Sequence, residues 1–178
     1  QVDGSVKCVE ATAIISAGGQ NVTLEESNSN FAAAVGIAGA NVAVTDEDAI
    51  ILVASTVSGT YAVTATAGGD ITDTGVLAIT GASTLTVANG QSITLDSSST
   101  FEGAVSFASG GTIAGVTLND IGAFDLAALT ISESLSVTAG GAVTVSYTRL
   151  TLPTKIQVES SVHLVSCPRQ RIKPLVAC

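Results

Sequence analysis

Positive charge is almost missing from most of this chain. Lys7 is the only Lys or Arg before residue 146, and the whole sequence carries 6 such bases against 15 acids and one His. A surface of that sign repels a phosphate backbone, which excludes nucleic acid as a partner. Tryptophan and methionine are absent, and there are only 4 Phe and 2 Tyr. The apolar content therefore comes from Val, Ile, Leu and Ala mixed with Thr, Ser and Gly, a blend that suits short β-branched strands and tight turns. The longest uniformly apolar run, about Ala49 to Ala54, is far below the roughly 20 residues that a membrane-crossing helix requires, so no membrane span is expected. No initiator Met and no charged-then-apolar leader stands at Gln1, as expected of a piece cut from a larger protein. The three cysteines, Cys8, Cys167 and Cys178, are odd in number and fit no metal spacing. Cys8 closes the apolar–polar–apolar triplet Val6-Lys7-Cys8 and reads as a buried small hydrophobe.

The composition changes at residue 146. Residues 1–145 hold one base and 14 acids; residues 146–178 hold five bases and one acid. All three prolines (Pro153, Pro168, Pro174) and His163 lie beyond the break, and all 18 glycines lie before it. Two segments follow from this: 1–145, and a basic, Pro-containing, irregular tail at 146–178. The stretch from Ser146 to Thr154 resembles a translated sequencing adapter. We therefore read the tail as non-native and give no functional weight to His163, Cys167 or Cys178.

Within residues 1–145 a triplet recurs: apolar, then Thr, Ser or Ala, then apolar. Examples are Val22-Thr23-Leu24, Val42-Ala43-Val44, Val63-Thr64-Ala65, Leu85-Thr86-Val87, Ile93-Thr94-Leu95, Val105-Ser106-Phe107, Val116-Thr117-Leu118 and Leu129-Thr130-Ile131. Side chains alternate across a strand, so each triplet is a short strand with one buried face. Triplets starting at Val22, Val42, Val63, Leu85 and Val105 recur about every 20 to 22 residues. That spacing predicts an all-β parallel β-helix, a solenoid of about six rungs, near 30 Å long at about 4.8 Å per rung. A longer echo sits above it. Gly19-Gln20-Asn21-Val22-Thr23-Leu24 returns as Gly90-Gln91-Ser92-Ile93-Thr94-Leu95, an offset of 71, Phe31 matches Phe101 at 70, and Val63-Thr64-Ala65 resembles Val137-Thr138-Ala139, an offset of 74. The pairs Gly18-Gly19, Gly68-Gly69, Gly110-Gly111 and Gly140-Gly141 precede strands, where positive φ is expected. An array of Ig-like sandwiches stays open as an alternative with antiparallel pairing.

Runs such as Gly90-Gln91-Ser92-Ile93-Thr94-Leu95-Asp96 through Phe101, and Ala54-Ser55-Thr56-Val57-Ser58-Gly59, resemble the repeats of filamentous-haemagglutinin-type adhesins over about residues 19–145. The resemblance implies a right-handed parallel β-helix shaft of a large secreted bacterial surface protein. It also implies export through an outer-membrane secretion pore and attachment to host-cell or surface glycans, proteins or like molecules. That family's Asn-Pro-Asn secretion motifs have no counterpart in residues 1–145, which contain no proline.

Chemistry was sought beside this. β-Helix lyases and hydrolases use clustered carboxylates with a cation nearby, and Lys7 alone cannot serve a sugar acid. No catalytic set, no cofactor and no enzyme activity are expected. The densest acids, Asp46, Glu47 and Asp48, are the nearest approach to a calcium site, but a glycine-rich calcium repeat and an EF-hand loop are both missing. They and the pair Asp70 and Asp73 read as solvated turns that keep an apolar rod soluble. The triplet Asn21-Val22-Thr23 matches a glycosylation acceptor. The outward threonines supply one hydroxyl per strand where an ice-binding face wants two.

Overall fold

The computed structural model describes residues 7–8, 11–127, 129–146 and 155–159. After β1 (Lys7–Cys8), the first coil runs through β2 (Ala13–Ser16), β3 (Val22–Leu24) and β4 (Asn30–Phe31), which pairs with β1. The second holds β5 (Val35–Gly39) and β6 (Val42–Asp46). The third holds β7 (Ile50–Leu52), β8 (Ser55–Val57) and β9 (Tyr61–Ala65), and the fourth β10 (Ile71–Asp73), β11 (Leu77–Ile79) and β12 (Ser83–Val87). Next come β13 (Ile93–Phe101) with β14 (Val105–Ser109), β15 (Ile113–Asp120) with β16 (Phe124–Ala127), and β17 (Ile131–Ala139) with β18 (Val143–Ser146). Inside the tail, β19 (Lys155–Glu159) adds to β17.

Every pairing among the described residues is parallel, between strands of neighbouring coils. The protein is a β-solenoid of about six turns, and antiparallel sandwiches are excluded. One sheet stacks β3, β6, β9, β12, β14, β16 and β18; the ten-stranded sheet takes β2, β5, β7, β8, β10, β11, β13, β15, β17 and β19, and β1 with β4 forms a two-stranded sheet of its own. In the third and fourth coils that larger sheet is crossed by two separate strands. In the fifth the same path is one nine-residue strand, β13, irregular between Leu95 and Ser99. Each coil thus presents three walls: β7 and β10 lie on the first, β8 and β11 on the second, β9 and β12 on the third.

Alternation decides what faces inward. On β9 the residues Tyr61, Val63 and Ala65 are buried while Ala62 and Thr64 are half-buried outside them. The inward positions then stack from coil to coil. Ile50, Ile71, Ile93, Val116 and Leu135 form one continuous column, and Val44, Val63, Leu85 and Phe107 form another. Where Tyr61 occupies a third-wall column, the next coil supplies the small Ser83, so large and small residues alternate within the packing.

The structure corrects three expectations. First, Val42 stacks on Tyr61 and Leu85 on Phe107, not on Val63 and Val105. Second, the longer echo, at offsets of 71 and 74 for the segments compared, does not relate equivalent places in the coil. Val22 lies in β3 on the third wall, whereas Ile93 lies in β13 on the first; likewise Val63 and Val137 fall in different sheets. Third, among the glycine pairs only Gly18, Gly19 and Gly68 have positive φ, with Gly90 beside them. Gly81 and Gly103 show the other reason for glycine. They sit at one corner on successive coils, and a β-carbon on either would run into the backbone of Gly59 or Gly81 on the coil before. There the Gly81 amide donates to the Gly59 carbonyl at 3.1 Å.

Two outcomes follow. Val63→Asp or Val105→Asp places a charge in a fully buried column and is expected to cost more than about 3 kcal/mol, against about 1 kcal/mol or less for Thr64→Asp or Thr94→Asp. Gly103→Ala is expected to lose about 1–3 kcal/mol by overpacking, while Gly110→Ala, which meets nothing within 4 Å, costs little. Urea midpoints of the purified variants check both.

Candidate functional site

A strand end leaves amides that the straight ladder no longer serves, and polar side chains at the corners collect them. Asp46 continues the inward alternation of β6 and is completely buried. Its Oδ1 accepts the Asp48 amide at 2.9 Å, and its Oδ2 accepts the Phe31 amide of the preceding coil at 2.9 Å. Ser55 Oγ accepts the Ile37 amide and Ser99 Oγ the Leu77 amide, each at 3.0 Å. Asn41 Oδ1 accepts from Thr60, Asn89 Oδ1 from Thr112, and Asp70 Oδ1 from Ser92, at 2.9, 2.9 and 2.7 Å. Each of these contacts except the Asp48 bond joins one coil to the next.

The acids expected as solvated turns therefore divide. Asp46 and Asp73 are buried; Glu47 is half-buried; Asp48 and Asp70 are exposed. Asp48 Oδ2 accepts the Asn30 side-chain amide at 2.8 Å. With both Asp46 oxygens bonded to amides, the three candidates Asp46, Glu47 and Asp48 do not converge on one point. Among the described residues no group of three or more His, Cys, Asp or Glu is placed to hold a metal ion.

Sequence reading missed Asp73 and Asp120 as interior groups. The signal was present, since each follows an inward apolar residue by two positions: Ile71 before Asp73, and Leu118 before Asp120. Asp73 Oδ1 accepts the amides of Asp96 and Ser97 on the next coil at 3.0 and 3.3 Å, while its Oδ2 is buried without a hydrogen-bond partner. Asp120 Oδ1 accepts the Gly122 amide at 2.9 Å, and its Oδ2 is likewise unpartnered. Burial raises the Asp73 carboxyl above its ordinary 3.8, opposed by the Ser97 and Asp96 amides, assisted by the Asp96 charge, and opposed in smaller measure by the Ser97 hydroxyl. Burial also raises Asp120, opposed by the Gly122 and Phe101 amides. Tyr61 crosses the core toward the same region. Its hydroxyl has no partner in full hydrogen-bonding geometry, and burial pushes the phenol up, opposed by the neighbouring Ser55 hydroxyl and assisted by the Asp73 charge.

Outside, the exposed acids Glu25, Glu26, Asp48, Asp70, Asp96 and Glu102 sit at the bends between walls. The third wall between β6 and β14 shows only Ala43, Thr45, Ala62, Thr64, Thr84, Thr86, Ser106 and Ala108. Thr45 and Thr64 stack in register, and so do Thr64 and Thr86. Thr84 and Thr86 give one strand two outward threonines, more than the single one expected. Thr84 Oγ1 and Ser106 Oγ bond each other at 3.0 Å. Asn21 and Thr23 of the glycosylation triplet are both exposed.

A cavity of about 260 Å³ opens where β14 outruns the shorter β16, lined by Phe107, Ser109, Ile113, Leu129 and Thr130 among others. Its lining carries no titratable group. The Cys8 side chain, His163, Cys167, Cys178 and the remainder of the tail expectation lie outside the described residues. Among the described residues no helix is long and apolar enough to cross a membrane.

Replacing Asp46 by Ala removes acceptors from two amides and is expected to cost about 1–3 kcal/mol. Calcium should leave the melting temperature of wild type and variant equally unmoved, which a thermal scan with and without the ion measures.

A family model described as repeats of unknown function (DUF5649) matches residues 39–108 and 114–158, so the second segment passes the composition break at residue 146. No curated protein and no solved structure matches the chain.

Proposed function

The chain belongs to this family of repeats of unknown function (DUF5649), and we propose that it is a structural and adhesive shaft segment of a large secreted bacterial surface protein. The observation that carries the reading is the unbroken stack: strands from β3 to β18 continue one rod, coil on coil, with the acids spread over separate bends. A rod of this kind sets distance and displays surface, and its length changes by whole coils without disturbing the packing of distant ones. The resemblance of residues 19–145 to filamentous-haemagglutinin-type repeats supports secretion through an outer-membrane pore and attachment to surface glycans, proteins or like molecules. Export places the rod at the bacterial cell surface or beyond it.

Enzyme action is the less favoured reading. Carbohydrate cleavage on such a scaffold needs two carboxylates facing one substrate. Here Asp46, Asp73 and Asp120 point inward on different coils, and no base lies between residues 8 and 145 to bind an acidic sugar.

The register Tyr61↔Ser83 makes residues 61–82 one whole coil. Deleting them from the surface-displayed protein is expected to preserve folding and attachment, whereas removing every coil from residue 22 to residue 146 lowers attachment or aggregation several-fold. Attachment and aggregation unchanged after the full deletion would overturn the shaft reading.

A further inference from the structure

The interior of the rod holds two carboxyls, Asp73 and Asp120, that no Lys or Arg of residues 8–145 accompanies. Asp73 and Asp120 each keep one oxygen, Oδ2, buried and unbonded. Residues 8–145 contain no Lys or Arg, so no cation of that stretch can balance either group. Asp73 also ties together successive coils. It belongs to the fourth, its Oδ1 receives amides from Asp96 and Ser97 of the fifth, and in the third it stands in register with Leu52 and acts on the Tyr61 phenol. Asp96 is the only charged group acting on it, and with the same sign. Asp120 stands in register between Ser99 of the fifth coil and Ala139 of the seventh, with amides of Gly122 and Phe101 beside it.

We propose that Asp73 and Asp120 form an acid-tightening device, in which a proton gained on each Oδ2 strengthens the stacking of the coils on either side. A protonated Oδ2 is neutral and becomes a donor; at Asp73 the buried, unpartnered Tyr61 hydroxyl is the acceptor nearby. Asp46 shows the contrast. Both of its oxygens accept backbone amides, so neither is left without a partner.

The direction follows from linkage. Burial lifts both carboxyls above 3.8 in the folded chain, so ionisation costs the folded state more than the unfolded one. That destabilisation stands in full above the raised values and is relieved as pH falls through them. The relief is complete below 3.8, where the unfolded chain is protonated too.

Acid also relieves the mutual repulsion of the surface carboxylates, so the test must separate interior from exterior. Urea unfolding of the full chain at about pH 7 and about pH 4.5 is compared for wild type, Asp73→Asn with Asp120→Asn, and the exposed control Glu102→Gln. The wild-type midpoint should move to higher urea in acid, and the control should keep that gain. The double Asn variant should start higher at pH 7 and lose most of it. An undiminished acid gain in the double variant overturns the device. Should the double variant fail to fold, carbon-detected NMR titration of wild-type Asp side chains decides. Two interior carboxyls titrating above the ordinary range support the device, and all Asp carboxyls titrating near 3.8 overturn it.

Discussion

An inward side chain in this protein is covered chiefly by the coils above and below it. A single coil of about 20 residues encloses too little to bury Ile71 or Val63 by itself; the columns through Ile50, Ile71 and Ile93 do so by stacking. Hydrophobic burial is therefore a property of the interface between coils, and so is backbone hydrogen bonding, because parallel ladders run from coil to coil. The corners extend this to the turns. Asp46, Ser55, Ser99, Asn41 and Asn89 each hand an oxygen to an amide one coil away, so strand ends that would otherwise fray are pinned. Glycine at Gly81 and Gly103 serves the same end by letting successive corners touch.

This constraint explains what the sequence could and could not disclose. Alternation within a triplet is local, and it correctly placed Val63 and Leu85 inside and Thr64 and Thr86 outside. Register between coils is not local. Sliding a strand by two residues keeps every side chain on its original face, so Val42 over Val63 and Val42 over Tyr61 look alike until backbone pairing is known. The walls share one pattern as well: apolar inside, small and hydroxylated outside, glycine or asparagine at the bend. A segment such as Gln20–Leu24 can thus be echoed at Gln91–Leu95 on another wall, and the 71-residue offset spans no whole number of coils. The interior acids escaped notice because composition assigns Asp to turns, whereas their position in the alternation, two residues beyond Ile71 or Leu118, assigns them to the core.

The same regularity spreads chemistry thinly. Each strand offers a wall only one or two outward positions, and from β6 to β14 the third wall fills these with Ala, Thr and Ser. Most of the exposed acids are left to the bends, while Glu133 lies on β17. An arrangement of this kind presents a broad repeating surface.

Specific behaviour must then come from places where the repeat departs from itself. One is the cavity lined by Phe107, Ser109, Ile113, Leu129 and Thr130. Another is the substitution of Asp for an apolar residue at inward positions 73 and 120. A regular rod gains nothing in stability from a buried carboxylate with an unbonded oxygen; an apolar residue of similar size would pack there without that cost. Because Asp73 touches the coils on both sides, its ionisation acts on two stacking interfaces at once. In a stack whose stability is a sum of neighbour interfaces, a change at one inward side chain thus sets how firmly a whole stretch of the rod stays closed.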